Sequence, residues 1–134
     1  MRRLLTALLF LFLSLGPVVA DGLIADDALA ATAPTAEQAA ALLELTPPVQ
    51  VQRIDAGVPG WSVSQGGSVV GHIGSTWEIA GSVGYSGRPL DVLVAVTPEA
   101  RIVGAILVRH NEPVLTLGIS DADIATYVAG FKGF

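Results

Sequence analysis

Gly81-Ser82-Val83-Gly84-Tyr85-Ser86-Gly87-Arg88-Pro89-Leu90, running into Asp91-Val92-Leu93-Val94-Ala95-Val96 and then Arg101 to Arg109, is the stretch on which the fold turns. A glycine-rich turn, Gly84 to Pro89, delivers the chain into a run from Leu90 to Val96 that is apolar everywhere except Asp91. A short consecutive run of this kind, rich in β-branched residues, predicts a strand covered on both faces, with Val94 deeply buried. Thr97-Pro98-Glu99-Ala100 predicts a tight turn, because proline presets the backbone angle of a turn's second position. Arg101 to Arg109 is the returning strand. Two strands joined by so short a turn pair antiparallel, and their apolarity predicts that the pair lies at the centre of the sheet. His110-Asn111-Glu112-Pro113 follows where strand gives way to loop, a usual place for binding groups held by a rigid scaffold.

Working upstream, Trp61 to Ser64 and Ser68 to Ile73 flank Gln65-Gly66-Gly67, which predicts a β-hairpin whose glycines supply positive φ angles. Trp77 to Val83 reads as a further strand, with Trp77, Ile79 and Gly81 on one side. Val49 to Ile54 reads as an edge strand of mixed quality. Before it, Thr35-Ala36-Glu37-Gln38 has the spacing of a capping box and predicts a helix from Ala36 to Leu45. Thr46-Pro47-Pro48 stops that helix, since proline lacks the backbone donor. Downstream, Ser120 and Asp123 cap a second helix ending near Phe131, with Ile124, Tyr127, Val128 and Phe131 on its apolar side. The expected fold is α+β: a small, mostly antiparallel sheet with an N-terminal and a C-terminal helix.

The N-terminus has the three parts of a secretory signal. Met1-Arg2-Arg3 is charged, Leu4 to Leu15 is apolar, and Gly16-Pro17-Val18-Val19-Ala20 offers small residues for cleavage after Ala20. The expected organisation is therefore a signal peptide over 1–20, a lead-in and helix over 21–48, and one domain over 49–134. Losing Arg2 and Arg3 moves the formal charge from −5 to −7, so a polyanion such as DNA is repelled and nucleic-acid binding is not expected. The chain contains no cysteine, so it has no disulfide framework and its core must hold it together.

Few reaction types suit this residue inventory. A nucleophilic serine needs a positioned base, and the two histidines, His72 and His110, stand in no such motif. Two histidines without cysteine make a poor zinc site, with Glu112 beside His110 the nearest approach to one. The glycine clusters lie between strands, unlike a dinucleotide or P-loop fingerprint, which leads from strand to helix. The remaining candidates are ligand-contacting groups, each with a plain solvated-loop or turn role as its alternative: Glu112 as a hydrogen-bond acceptor, His110 as a donor, Tyr85 for stacking and Arg88 for a phosphate.

Gly84-Tyr85-Ser86-Gly87-Arg88-Pro89-Leu90, the Pro-Glu-Ala-Arg-Ile turn into Val103-Gly104, and His110-Asn111-Glu112-Pro113-Val114-Leu115 together resemble the extracytoplasmic FMN-binding domain of the NosR/NirI family. The pattern is more distantly similar to the flavin subunits of Rnf and sodium-pumping quinone reductase complexes. It covers roughly Trp61 to Gly133. The resemblance implies an FMN-binding electron-transfer domain linked to denitrification and supporting nitrous oxide reduction. It would lie outside the cytoplasm, tethered to the inner membrane in the full-length protein. Its partners would be downstream membrane and iron–sulfur segments or subunits. The implied cofactor contacts are Tyr85, Arg88, His110, Glu112 and Pro113, with Leu117 and Gly118 beside Leu115 as the wall for a flat ring. Related domains tether FMN to the last Thr of a Ser/Thr-Gly-Ala-Thr motif. Ser120 to Gly133 contains none, so this chain reads as the N-terminal portion of a larger protein that holds FMN weakly and noncovalently. A sensory or interaction module that keeps the fold without the cofactor is the alternative.

Overall fold

The computed structural model describes residues 30–134. The expected signal segment, 1–20, and the lead-in as far as residue 29 lie outside the described residues. The first element is α1 (Ala36–Leu42), opened by the expected capping box: Thr35 Oγ1 accepts from the Gln38 N–H at 3.1 Å and Gln38 Oε1 accepts from the Thr35 N–H at 3.0 Å. It ends before the expected Leu45 because Glu44 takes a left-handed φ of 55°.

Five strands follow: β1 (Gln50–Ile54), β2 (Gly60–Gln65), β3 (Ser68–Ser75), β4 (Asp91–Val96) and β5 (Ile102–Arg109). They form one sheet in the order β1-β2-β3-β4-β5, antiparallel at every step. Gly66 and Gly67 occupy the β2–β3 turn at φ 59° and 84°, the pair of positive angles that a tight hairpin requires. β1 is an edge strand, as its sequence predicts. The pairing of β4 with β5 is also as expected, but their position is not, because β5 is the other edge of the sheet and only β4 is interior. Along the outer side of β5 the chain end closes in: Gly133 N–H donates to Ile102 O at 2.8 Å, and Ile102 N–H donates to Phe134 O at 2.7 Å.

The predicted strand at Trp77 to Val83 is instead a short helix, α2 (Thr76–Ala80). Ser75 caps it, with its Oγ accepting from the Glu78 N–H at 3.1 Å, and Gly81 ends it in the left-handed conformation. The Glu78 carboxylate pairs with Arg53 of β1, whose guanidinium lies 4.9 Å above the Trp61 ring. Glu78 first and Asp55 second hold the Arg53 charge even more firmly than usual. The last element is α3 (Asp121–Ala129), with Ser120 and Asp123 capping each other reciprocally. The expected α+β class stands: one antiparallel sheet with helices before and after it.

The sheet has two unlike faces. On one, Trp61, Val63, Ile73, Leu93 and Ala95 pack beneath Ala39, Ala40, Leu42 and Leu43 of α1 and its cap, all buried. Each such large side chain contributes about 1.5–3 kcal/mol on burial. The helix comes this close because Gly104 has no side chain; a Cβ there would lie 2.3 Å from the Leu42 carbonyl oxygen. On the other face Val92, Val94 and Val96 are only half-buried. That face carries two hollows, about 360 Å³ beside Ile79 of α2 and about 600 Å³ beneath α3, which share Thr76 and Val94 in their walls. β4 is thus sealed on one face, where the apolar run predicted two, because α3 stands off the sheet and buries only Val128.

Candidate functional site

Two loops meet at one end of the sheet. β4 begins and β5 ends there, with Asp91 opposite Arg109, so the turn before β4 and the loop after β5 are neighbours. The first is a tight turn: Gly84 N–H donates to Arg88 O at 2.9 Å, Gly87 N–H donates to Gly84 O at 3.0 Å, and Val83 bridges Pro89. The second runs through His110, Asn111 and Glu112 into a 3-10 turn, Pro113–Thr116.

Glu112 joins the loops. Its side chain is 4% exposed and its carboxylate faces inward, accepting from Ser86 Oγ at 2.6 Å and from the Ser86 N–H at 3.2 and 3.3 Å. Gly84 leaves the room for it, since a Cβ there would lie 2.0 Å from Glu112 Oε1. Expected as a ligand acceptor, Glu112 acts in this geometry as a latch between the two loops. An inward carboxylate can be kept only if it is hydrogen-bonded, and Ser86 supplies that partner.

The remaining predicted residues are arranged around the latch. Tyr85 is fully exposed at the tip of its turn. Arg88 is exposed, and among the described residues its guanidinium makes no ion pair or hydrogen bond. His110 is half-buried, and its Nδ1 accepts from the Glu112 N–H at 3.4 Å, which places the N–H of the neutral ring on Nε2. Pro113 opens the 3-10 turn. Leu117 and Gly118 lie beyond it, with Leu117 80% exposed and Gly118 at φ 95°. Leu115 instead turns in to line the hollow beneath α3. Among the described residues no three His, Cys, Asp or Glu side chains converge to hold a metal.

FMN asks for three things: an apolar surface for its ring, polar partners for the ring's edge, and a cation or backbone N–H groups for its phosphate. Arg88 and Tyr85 are free to serve phosphate and ring, and His110 Nε2 can donate. The groups present therefore fit a partial hold on the cofactor, with the loop geometry fixed by Glu112.

The sequence gives no warning of what Asp91 does. It interrupts an apolar run, yet it is wholly buried on the sealed face. Ser75 Oγ donates to it at 2.7 Å, the Trp77 N–H at 3.3 Å and the Thr32 N–H at 3.4 Å, while Arg109 Nη2 lies 3.8 Å away. One carboxylate thus ties the lead-in, the start of α2, β4 and β5 directly beneath the two loops. Its partners are 14 to 59 residues away along the chain, so no local pattern reveals them. The interruption itself was the available signal.

No family model matches the sequence, and no solved structure matches it. Among curated proteins the chain is similar to Protein NirI of Paracoccus denitrificans (strain Pd 1222), with 54% identity over 131 residues, 98% of this chain and 18% of that protein. It is also similar to Regulatory protein NosR of Stutzerimonas stutzeri, 28% identical over 94 residues (61% of this chain, 13% of that protein). Regulatory protein NosR of Pseudomonas aeruginosa is 30% identical over 71 residues (53% and 10%). The chain spans less than a fifth of the length of these relatives.

Proposed function

The chain belongs to the NosR/NirI family, and from that premise we propose that it is an extracytoplasmic FMN-binding, electron-transfer domain of a membrane-bound respiratory or regulatory protein serving denitrification, in support of nitrous oxide reduction. The observation that carries this reading is the latched loop pair. Glu112 and Ser86 hold together two of the three segments on which the family resemblance rests. Bound FMN would supply one- and two-electron transfer, the protein setting its orientation and environment. Arg88 offers a bidentate fork to the phosphate, Tyr85 a stacking face, and His110 Nε2 a donor. Pro113 stiffens the loop, and Gly118 permits close backbone approach. Glu112 fixes the distance between the Arg88 and His110 loops. Downstream membrane and iron–sulfur segments or subunits are the proposed partners, and the charged, apolar and small-residue order of residues 1–20 supports export.

One observation favours a second reading, a sensory or interaction module without cofactor: the latch satisfies Glu112 within the protein, so the loops close without a ligand. Titrating purified protein into FMN and following flavin fluorescence separates the two. The expected result is saturable quenching, loss of the flavin on gel filtration, and about tenfold weaker binding in Arg88→Ala, the equivalent of one charge-assisted hydrogen bond. Absence of quenching at millimolar protein would establish the second reading in its place, and equal affinity in Arg88→Ala would remove Arg88 from the site.

A further inference from the structure

The hollow beneath α3 lies outside the latched loops and has a different chemistry. Its volume is about 600 Å³, within the range of small-molecule sites. The floor is Val92, Val94, Ala105 and Leu107 of the sheet, and Ile124 and Val128 of α3 form the roof. Three side chains with polar groups line it, Thr76, Asp123 and, at the mouth, Tyr127. The Thr76 hydroxyl is already engaged with the Val92 N–H at 3.0 Å and with Ser82 Oγ at 2.9 Å. Asp123 is engaged in capping, accepting from Ser120 Oγ at 2.6 Å and from the Ser120 N–H at 3.0 Å. Those bonds hold its carboxyl below the usual carboxylate range, so it stays anionic.

Water is a poor occupant of such a space, since each buried water needs two to four polar partners that these walls do not offer. Collapse of α3 onto the sheet is opposed at the C-terminal end of the helix, where the Lys132–Glu44 ion pair and the backbone bonds of Gly133 and Phe134 to Ile102 hold the chain. The mouth is apolar too: Ile119, Tyr127 and Phe131 line it and are exposed, with the two rings edge to face at 5.9 Å. We propose that this hollow is a binding site for an uncharged hydrocarbon chain, acyl or isoprenoid, entering between Tyr127 and the sheet. The walls take the chain, the phenol of Tyr127 faces a neutral polar end, and Asp123 repels an anionic one. FMN, a phosphate ester with a polar ring edge, is not the ligand of this site.

The test uses the neutral fluorophore N-phenyl-1-naphthylamine with purified protein. Enhanced, blue-shifted emission is expected, displaced by decanol or farnesol but not by FMN, and at least tenfold less well by decanoate. Whichever alcohol displaces more strongly identifies the chain type. Ala105→Phe fills the hollow and should weaken probe binding more than tenfold while the melting temperature holds or rises. Val69→Phe, at an exposed hairpin position remote from the hollow, should bind as the wild type does. Should Ala105→Phe fail to fold, the melting temperature of the wild type in saturating decanol decides, and a rise of several degrees is expected. Unenhanced emission, full binding by Ala105→Phe, equal displacement by decanoate, or no decanol-dependent rise would each overturn the proposal.

Discussion

The two faces of the sheet are made from similar residues and end in different states. β4 sends Leu93 and Ala95 to one side and Val92, Val94 and Val96 to the other, all apolar. The first set is buried under α1, whereas the second is half-buried around two hollows. Composition therefore does not decide which face is sealed; the covering helix does. α1 presents Ala39, Ala40 and Leu42 and meets a glycine, Gly104, so helix and sheet touch backbone to backbone. α3 carries the larger Ile124 and Tyr127, with Phe131 just past its end, and the bonds of Gly133 and Phe134 to Ile102 tether that end to β5. Small residues on a helix bring it close, and large ones anchored at a distance leave space.

The sharpest way to break this contrast is at Asp91, the buried carboxylate of the sealed face. Asp91→Ala takes from the Ser75 hydroxyl, the Trp77 N–H and the Thr32 N–H their shared buried acceptor, and a loss of about 3–5 kcal/mol is expected by chemical denaturation. A loss under 1 kcal/mol would mean that the sealed face does not depend on its polar anchor. Next comes the pair Leu93→Ala and Val94→Ala, neighbours that face opposite ways. The first should cost about 2–5 kcal/mol as a cavity in a closed core, and the second about 1 kcal/mol or less, because its surroundings are already open. Equal losses would show that both faces are packed alike.

The smallest effect belongs to the α3 cap. Asp123 has a lowered pKa in the folded state, from its hydrogen bonds with Ser120. Its contribution is present above the unfolded value near 4 and is lost as pH falls through the folded one. Ser120→Ala should therefore lower the melting temperature slightly at neutral pH and flatten its acid dependence below about pH 4. An unchanged acid limb would show that the Ser120–Asp123 cap adds nothing to the stability of the fold.

Much of the fold could be read from local signals, because local chemistry makes it. The Thr35–Gln38 box, the Gly66-Gly67 turn and the Ser120–Asp123 cap each act within four residues, and each is realised. The miss at α2 is instructive. Trp77, Ile79 and Gly81 alternate, but over five residues a period of 2 and one of 3.6 cannot be told apart. Ser75 and Glu78, spaced as a cap, were the signal that decided it. The site was legible as loops and not as directions. The sequence placed Glu112 beside a turn, but whether its carboxylate turned out to a ligand or in to Ser86 depended on Gly84, 28 positions earlier. The edge position of β5 was hidden for the same reason, since an apolar strand flanked by helices reads like an interior one.

The sheet also has a polarity. The Thr32 N–H reaches Asp91 at the start of β4, so the chain enters at the end of the sheet that carries the latched loops. Phe134 is bonded to Ile102, at the start of β5 and hence at the opposite end. β5 has eight residues, which separates its two ends by roughly 23 Å at the usual rise per residue. Tyr85, Arg88 and His110 therefore share the Thr32 end of the sheet, and Phe134 lies a sheet's length away from them.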